Sequence, residues 1–320
     1  MRAEEWAQAQ EWIAATLAGR GTPATGPAVV DRVRPWSTTA RVPIAGGQAW
    51  FKHNHAGSHY EAGLMRLLAS IAPHDMLVPL AVDTERGWML LPDGGPTMRE
   101  ITSDTFDRGR WEHLLHRYAA LQRAAAPHAG AMLAAGVPDF RPHTVAAQYE
   151  KLLTDPYVLA NLDADKMAGL HEWVPRIERM CRRLAADGIA PSVQHDDLHP
   201  SNVFADGDGG LRFFDFGDAG VAHPFGSMLV ALRVVHRDAK VEKKDPLLYE
   251  LRDRYLSAWT ADGRDLAELR ELCQDAIVVA KIGKALSYQR SLHDATEEAL
   301  AEYGEGVYGW LEELLGPDVI

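Results

Sequence analysis

One segment, residues 193–218, constrains the fold more than any other part of the chain. It begins with a polar stretch that carries Asp197 and Asn202, and Pro200 stands between them. Because proline lacks a backbone donor and clashes with a preceding helical turn, this stretch is predicted to be a loop. A carboxylate and an amide that share one short loop can act on the same small site.

Two short apolar segments, Val203–Phe204 and Leu211–Phe214, follow that loop. The Asp- and Gly-rich residues 206–210 between them are typical of a β-hairpin turn. Closing this hairpin brings Asp215 back beside Asn202, so that an Asp, an Asn and a second Asp converge at strand ends. Such hard oxygen ligands suit Mg²⁺, the cation that accompanies phosphate groups in phosphoryl transfer. One carboxylate is left to accept a hydroxyl proton.

The pattern His195-x-Asp197-x-x-x-x-Asn202, completed by Asp215 followed by Phe-Gly, resembles the catalytic loop and metal-binding segment of the kinase fold. The sequence His-Asp-Asp-Leu-His-Pro-Ser-Asn is more similar to aminoglycoside phosphotransferases and choline kinases than to protein kinases. The resemblance implies a bilobal, protein-kinase-like α+β fold with a small antiparallel-sheet N-lobe and a larger, mostly helical C-lobe. It further implies that Asp197 is catalytic and that Asn202 and Asp215 bind Mg²⁺.

Two other interpretations of this segment stay open. His195 and His199, with a carboxylate after the first, have the spacing of a zinc-protease helix, although Pro200 argues against a helix there. Residues 215–218 alone could form an ordinary turn. Their position directly after an aromatic hairpin strand favours the metal-binding interpretation.

The N-terminal part is predicted to be a helix followed by a sheet. Trp6, Ile13 and Leu17 at helical spacing predict an amphipathic helix over residues 3–18. Apolar and β-branched runs between turn residues predict strands at 29–33, 39–43, 48–52, 76–83 and 87–91. A Pro- and Gly-rich break at 92–96 is interpreted as a hinge. We therefore expect a nucleotide-binding lobe at residues 1–92 and a catalytic and acceptor-binding lobe at residues 93–320.

Lys52 ends an apolar strand and precedes an amphipathic helix predicted over residues 59–71. A lysine in this position resembles the kinase-fold lysine that pairs with the nucleotide phosphates, and Glu61 in the first helical turn is its natural partner. The alternatives are a surface lysine whose stem lies along apolar residues and a glutamate that complements the helix dipole.

The chain has no Gly-rich loop to cover the nucleotide phosphates. The loop predicted over residues 34–39 offers Ser37, Thr38 and Thr39 instead, although it could also be a plain hairpin loop. At the hinge, Leu91 is a candidate to contact the base through its backbone, as are its neighbours Leu90 and Asp93. The resemblance implies ATP, or GTP, and Mg²⁺ as cofactors.

Beyond the hinge the pattern is mostly helical. Helices are predicted at 106–124, 144–153, 166–186, 225–235, 247–259, 266–290 and 297–315, with connections at 124–142 and 217–224. The helix at 166–186 is expected to pack beneath the catalytic loop. Candidates to line an acceptor pocket are Tyr288, Arg290, Asp294, Glu297, Glu298 and Tyr303.

One departure from the family pattern follows Asp215. Many relatives place Asp-Pro just after the metal segment and a further Asp three residues later, whereas this chain has His223-Pro224 and then Ser227. The carboxylate that usually ties the catalytic loop in place is therefore absent. No residue expected to perform chemistry is lost.

Charge and composition bound the partners. The net charge of −12 disfavours nucleic acid as a partner. Residues 1–92 are neutral, so the rest of the chain carries the whole charge, which suggests either simple solubility or the steering of a cationic acceptor. No apolar run approaches the ~20 residues of a membrane span. Two distant cysteines, Cys181 and Cys273, are consistent with a cytoplasmic protein, and no obligate protein partner is evident.

The sequence predicts a phosphotransferase that moves a phosphoryl group from ATP to a hydroxyl of a small molecule, with an antibiotic as the leading hypothesis. A metabolic kinase for choline, homoserine or a sugar is the enzymatic alternative. A regulatory nucleotide-binding protein with little turnover is a further one, because the Gly-rich loop is absent. A metal-dependent hydrolase would leave Lys52 and the helix after it unexplained.

Overall fold

The computed structural model describes residues 3–206 and 208–320, so that Gly207 of the predicted hairpin turn lies outside the described residues. It confirms the predicted α+β architecture, with an antiparallel sheet toward the N-terminus and a larger, mostly helical remainder. The strands are β1 (Val29–Val33), β2 (Ser37–Ile44), β3 (Gly47–Asn54), β4 (Ala81–Asp83), β5 (Trp88–Pro92), β6 (Asp139–Phe140), β7 (Ser192–Gln194), β8 (Val203–Ala205), β9 (Leu211–Phe213) and β10 (Gly220–Ala222). The helices are α1 (Ala3–Gly19), α2 (Glu61–Ile71), α3 (Met98–Ile101), α4 (Arg108–Ala125), α5 (Ala129–Ala134), α6 (Pro142–Leu152), α7 (Pro156–Asn161), α8 (Ala164–Ala186), α9 (Met228–Asp238), α10 (Pro246–Thr260), α11 (Leu266–Ser291), α12 (Glu297–Tyr303) and α13 (Glu305–Glu312).

The N-terminal sheet has the strand order β1-β2-β3-β5-β4, with every pairing antiparallel. Because side chains alternate along a strand, its two faces serve different purposes. Phe51 on β3 packs with Ile13 and Leu17 of α1 in a small core of its own. The next residue, Lys52, points to the other face, where it meets Glu61 at the start of α2. The leading helix thus covers one face and leaves the other for the cleft.

The larger part is built around α11, a 26-residue helix with fourteen buried residues. It packs against α6, α8, α9, α10 and α13. Two small sheets, β6-β10-β7 and the β8-β9 hairpin, lie beside this bundle. The catalytic loop predicted from the sequence connects β7 to the hairpin, so its two ends are fixed by strands.

The helix beneath that loop is α4, not α8 as predicted. The Tyr118 Oη on α4 accepts a hydrogen bond from the backbone N–H of His195 at 2.9 Å. The Gln122 amide, one turn further along, donates to the carbonyl of Val193 at 2.8 Å. Helix α8 packs on α6 and α11 instead, because its buried stripe, which includes Ile177 and Leu184, faces those helices.

Several predicted boundaries were wrong. The strand predicted over 76–83 begins only at Ala81, because Leu77 donates its N–H to the carbonyl of Phe213 at 3.0 Å and so joins the hairpin instead. The connections predicted at 124–142 and 217–224 contain α5, β6 and β10. The helix predicted over 297–315 is divided at Gly304 into α12 and α13.

Two further observations concern the described residues as a whole. None of the helices within residues 3–206 and 208–320 is both long and apolar enough to cross a bilayer. Cys181 and Cys273 are free and buried, and burial raises the pKa of their thiols to about 11 and about 12. Both therefore stay protonated and act as packing residues.

Candidate active site

Lys52 is at the centre of a buried ion-pair cluster. Its ammonium lies 2.7 Å from Oε2 of Glu61 and 2.7 Å from Oδ1 of Asp215. Lys52 is 8% exposed and Glu61 only 1%, so Lys52 is not a surface lysine. The neighbouring elements β3 and α2 thus meet the distant segment after β9 through one cation.

The charges of this cluster follow from its burial and its geometry. Burial alone would lower the pKa of Lys52, but the carboxylates of Asp215 and Glu61 outweigh it and hold that pKa above its usual value. Burial raises the pKa of Glu61 to about 7, against the opposing effect of the Lys52 ammonium. Lys52 is therefore cationic at neutral pH, and Glu61 titrates close to neutrality.

Asp197 and Asn202 are joined directly on the loop after β7. The Asn202 amide donates to the backbone carbonyl of Asp197 at 2.9 Å and to its carboxylate at 3.0 Å. His199 Nε2 donates to the same carboxylate at 3.2 Å. Although burial on its own would raise the pKa of Asp197, the bond from His199 and the nearby Lys284 ammonium hold it well below its usual range. Asp197 is therefore an anion with the charge required to accept a proton.

His195 fixes the loop to the neighbouring hairpin. Its Nε2 bonds the carbonyl of Phe214 at 2.9 Å, and burial lowers its pKa, so the ring is neutral. His199 instead points toward Asp197, and residues 195–199 are not helical. The zinc-protease interpretation is wrong, because the two histidines are neither on a helix nor directed at a common point.

Asp215 offers an oxygen that fits a divalent cation. Its Oδ1 binds Lys52, and no hydrogen bond is made by its Oδ2 among residues 3–206 and 208–320. The side chain is 38% exposed and lines the main cavity together with Asn202. The backbone of Asp215 has φ +64°, as does that of Asp196, in the region that L-residues rarely adopt. Hard oxygen donors held in this way, beside anionic Asp197, match the ligands that Mg²⁺ prefers.

Ser37, Thr38 and Thr39 lie in strand β2 and not on a loop as expected. Ser37 and Thr38 are buried, and Thr38 pairs with Val33 of β1 while its Oγ1 meets Nε2 of His55 at 3.2 Å. The β1–β2 connection is only residues 34–36, and Trp36 lines the cavity in their place. That the hydroxyls contact phosphates stays a prediction.

Leu91 lies in β5, the last strand before the predicted hinge. It is 8% exposed and pairs with Trp50 of β3. The residues after it, 93–96, have no regular structure, as the hinge interpretation expects. A contact between the Leu91 backbone and a nucleotide base also stays a prediction.

A second buried lysine was missed by the sequence reasoning. Lys284 on α11 is 4% exposed, donates to Oδ2 of Asp218 at 2.7 Å and lines the cavity with Asp197. Burial opposes its charge, but the carboxylates of Asp218, Asp197 and Asp196 raise its pKa above the usual value. Its signal in the sequence was a pair of lysines, Lys281 and Lys284, inside an otherwise apolar helical run at residues 276–285.

His223 belongs to the segment after Asp215 where the sequence departs from the pattern it otherwise resembles. Its Nε2 donates to Oδ2 of Asp187 at 2.9 Å, and its Nδ1 accepts the N–H of Phe225 at 3.3 Å. Both side chains of the His223–Asp187 pair are buried. The catalytic loop itself is supported from α4, through Tyr118, while the His223–Asp187 pair ties the segment after β10 to the end of α8.

The main cavity has a volume of about 930 Å³ and is lined by Asp197, Asn202, Asp215, α9, α11 and α13. Of the acceptor-pocket candidates, Tyr288 lines it, whereas Tyr303 lines a neighbouring hollow. Arg290 lies elsewhere and donates to the carbonyl of Gly57 at 2.6 Å and to Tyr60 Oη at 3.1 Å. The other three candidates are exposed and do not line the cavity: Asp294, Glu297 and Glu298.

The chain matches a family model described as the phosphotransferase enzyme family over residues 48–272. No curated protein matches at the sequence level. Among solved structures, macrolide 2′-phosphotransferase MphH from Brachybacterium faecium is 16% identical, with a TM-score of 0.57 over 94% of this chain and 98% of that one.

Two other solved structures are similar over the same extent. Choline kinase LicA from Streptococcus pneumoniae is 12% identical, with a TM-score of 0.59 over 96% of this chain and 98% of that one. A GDP complex of aminoglycoside 2′-phosphotransferase-IIIa is 13% identical, with a TM-score of 0.57 over 95% and 99%. At such identities the likeness establishes the fold and not the acceptor.

Proposed function

Because the chain belongs to the phosphotransferase enzyme family, we propose that it transfers the γ-phosphoryl group of a nucleoside triphosphate to a hydroxyl of a small molecule. On this proposal residues 1–92 bind the nucleotide, and residues 93–320 carry the catalytic loop and the acceptor site. The observation that carries the proposal is the pairing of Lys52 with Asp215, close to anionic Asp197 in one cavity.

Each side chain has a role in the reaction. Lys52, held by Glu61 and Asp215, provides a fixed cation for the nucleotide phosphates. The acceptor oxygen forms a bond to the γ-phosphorus while the bond to the β–γ bridging oxygen breaks, and the nucleoside diphosphate leaves. Asp197 accepts the hydroxyl proton, which its lowered pKa allows only late in the transfer.

Asn202 and Asp215 would hold Mg²⁺, with Asp215 using the oxygen that Lys52 does not bind. When bound, the cation would neutralise charge on the phosphates. The remaining contribution of the protein is to hold donor and acceptor in line, and fixed positioning of this kind supplies much of the rate enhancement in phosphoryl transfer.

The acceptor is proposed to be a natural-product antibiotic, with resistance as the biological outcome. Macrolide and aminoglycoside phosphotransferases among the similar structures support this hypothesis. The equally similar choline kinase supports the metabolic alternative. The complete set of Lys52, Asp197, Asn202 and Asp215 argues against a regulatory protein without turnover. A cytoplasmic location, where nucleoside triphosphates are abundant, fits either enzyme.

The proposal is tested by measuring nucleoside diphosphate release from Mg·ATP and Mg·GTP against macrolides, aminoglycosides, choline, homoserine and sugars. We expect one class of acceptor to stimulate release and to gain the mass of one phosphoryl group. In Asp197→Asn, release falls by about 10²–10⁴-fold while the Kd for Mg·ATP stays nearly unchanged. Wild-type release that is independent of every acceptor, or full release in Asp197→Asn, would contradict it.

A further inference from the structure

The cavity that contains Asp197 has a sign of charge opposite to that of the whole chain. The chain has 33 Lys and Arg residues against 45 Asp and Glu residues. The cavity is lined by seven cations, which are Arg32, Arg34, Arg99, Arg233, Arg237, Lys243 and Lys284. Only four carboxylates line it: Asp197, Asp215, Asp218 and Glu313. A surplus of positive charge in a chain of net negative charge is a local feature of this cavity.

Two of the carboxylates are already used by cations of the cavity wall. Glu313 forms a bidentate ion pair with Arg233, with hydrogen bonds of 2.8 and 2.9 Å. Asp218 accepts from Lys284 at 2.7 Å. A third, Asp215, is paired with Lys52, which lies outside that lining set. The carboxylates of the cavity therefore do not neutralise its remaining cations.

Lys243 is the clearest surplus cation. Its Nζ donates to the backbone carbonyl of Pro317 at 2.8 Å and forms no ion pair within residues 3–206 and 208–320. Glu313, which is already paired with Arg233, acts on Lys243 only at longer range. Arg99 and Arg237 share a single strong partner, Asp238, at 2.9 and 2.8 Å. Arg99 also approaches Asp104, but only to 3.5 Å, and that carboxylate is 77% exposed. The part of the cavity wall formed by Arg99, Arg237 and Lys243 thus holds about two uncompensated positive charges.

Apolar side chains lie along the same wall. Val230 and Val234 on α9, Trp310 on α13 and Tyr288 on α11 all line the cavity with these cations. Arg233 stacks over the Trp310 ring at 4.9 Å, which holds the ring in place. Such a wall suits a ligand with an apolar body and a charged end.

We propose that the acceptor is a hydroxyl compound with an apolar body and an anionic group, a carboxylate or a phosphate ester, bound by Lys243 and the Arg99–Arg237 pair. The inference rests on the proposed phosphoryl transfer and names the acceptor's chemical class, which excludes cationic aminoglycosides and choline as acceptors of this chain. Arg32 and Arg34 line the N-terminal side of the cavity, where β1 ends. Arg34 donates to Tyr303 Oη at 2.6 Å and lies 3.9 Å from Glu302, so Arg32 is the one left for the nucleotide phosphates. Asp197 accepts the proton of the hydroxyl at the other end of the acceptor.

The negative charge of residues 93–320 suggested a cationic acceptor, but three of its glutamates do not line the cavity that holds Asp197. Glu302, Glu305 and Glu312 line a neighbouring hollow of about 620 Å³, which shares Lys243, Trp310 and Glu313 with that cavity. Glu312 is also paired with Lys166 at 2.5 Å.

Three probes of one shape separate the possibilities: para-hydroxymethyl benzoate, its methyl ester and para-aminomethyl benzyl alcohol. Each has a benzylic hydroxyl on an aromatic body, and only the charge at the far end differs. Binding is followed by tryptophan fluorescence, since Trp36 and Trp310 line the cavity, in the presence of Mg²⁺ and a non-hydrolysable ATP analogue. We expect the benzoate to bind at least about tenfold more tightly than the amine, with the ester between them.

Two variants test the residues. In Lys243→Glu the Kd for the benzoate rises about tenfold or more, and in Arg237→Gln it rises severalfold. Both residues are exposed, so both variants are expected to fold. Lys151→Glu is the matched control, because Lys151 is an exposed lysine on α6 outside the cavity. Its Kd should equal that of the wild type.

The outcomes distinguish this inference from the proposed function. Equal binding of the three probes, tighter binding of the amine, binding of none at millimolar concentration, or an unchanged Kd in Lys243→Glu would overturn an anionic acceptor. Binding of Mg·ATP and its dependence on Asp215, measured by calorimetry in the same preparations, would be untouched by those results. Failure of Mg·ATP binding would instead overturn phosphoryl transfer.

Discussion

Lys52 and Lys243 are both cations of the cleft, yet they differ in almost every physical respect. Lys52 is buried on a strand and held by two carboxylates, each 2.7 Å from its Nζ. Lys243 is exposed between α9 and α10 and bonds one backbone carbonyl. At the first site the charge of the lysine is fully compensated before any ligand arrives, whereas at the second a positive charge is left over. A compensated lysine is held in place by its partners, whereas an uncompensated one can bind an anionic ligand.

The largest effect is expected at the point where the two sides of the cleft meet. In Asp215→Asn, Lys52 loses one of its two carboxylates and the free oxygen becomes a neutral amide. Turnover should fall by at least about 10³-fold, and calorimetric titration should show that Mg²⁺ no longer strengthens nucleotide binding. Nucleotide binding that still depends on Mg²⁺ would remove Asp215 from the metal site.

A somewhat smaller loss of activity is expected when Lys52 is removed and its two carboxylates are left without their cation. Lys52→Met should lower kcat/KM for the nucleotide by about 10²–10³-fold, and should lower the free energy of unfolding by about 3 kcal/mol because Glu61 is left buried without its cation. Steady-state kinetics and chemical denaturation measure the two effects. Lys151→Met, an exposed lysine on α6, is the control and should change neither.

A substitution in the part of the cavity proposed to bind the acceptor should leave nucleotide binding unchanged. Trp310→Ala removes an aromatic surface of the cavity and the ring that stacks with Arg233. We expect the KM for the acceptor to rise about tenfold, or roughly 1.4 kcal/mol, with little change in the KM for ATP. An equal rise in both constants would show that the two regions do not act separately.

The smallest effect concerns pH. Burial raises the pKa of Glu61 to about 7, so lowering the pH through 7 protonates it and leaves Lys52 with Asp215 alone. In the wild type, the Kd for Mg·ATP should therefore rise about fivefold toward low pH, equivalent to about 1 kcal/mol. The Glu61→Gln variant should bind Mg·ATP weakly at every pH, and its Kd should not change with pH. A pH dependence that persists in Glu61→Gln would assign it to another group.

The contrast between the Lys52 side and the Lys243 side of the cleft also explains which residues could be predicted from the sequence. Asp197, Asn202 and Asp215 lie within nineteen residues, and local features, a proline and a hairpin turn, were enough to bring them together. Lys52 could be paired with Glu61 because a strand followed directly by a helix leaves little freedom. Ser37–Thr39 were placed on a loop because hydroxyl residues suit loops and strands alike, and only the pairing with β1 and β3 decides between them.

The acceptor side could not be read in this way. Arg99, Arg237, Lys243 and Trp310 come from four separate elements whose meeting depends on how the helices pack. No periodicity or spacing relates them. Lys284 was hidden for a different reason, since a buried lysine needs carboxylates from other elements and the sequence does not say which ones it will meet.

Arg290 connects the two parts of the molecule, as the Lys52–Asp215 pair does. It reaches from α11 to the carbonyl of Gly57, where a Cβ at position 57 would lie only 2.6 Å from the Arg290 carbonyl oxygen. Any opening of the cleft must therefore break this guanidinium contact together with the Lys52–Asp215 pair. If product leaves through such an opening, the strength of these contacts would set a limit on turnover.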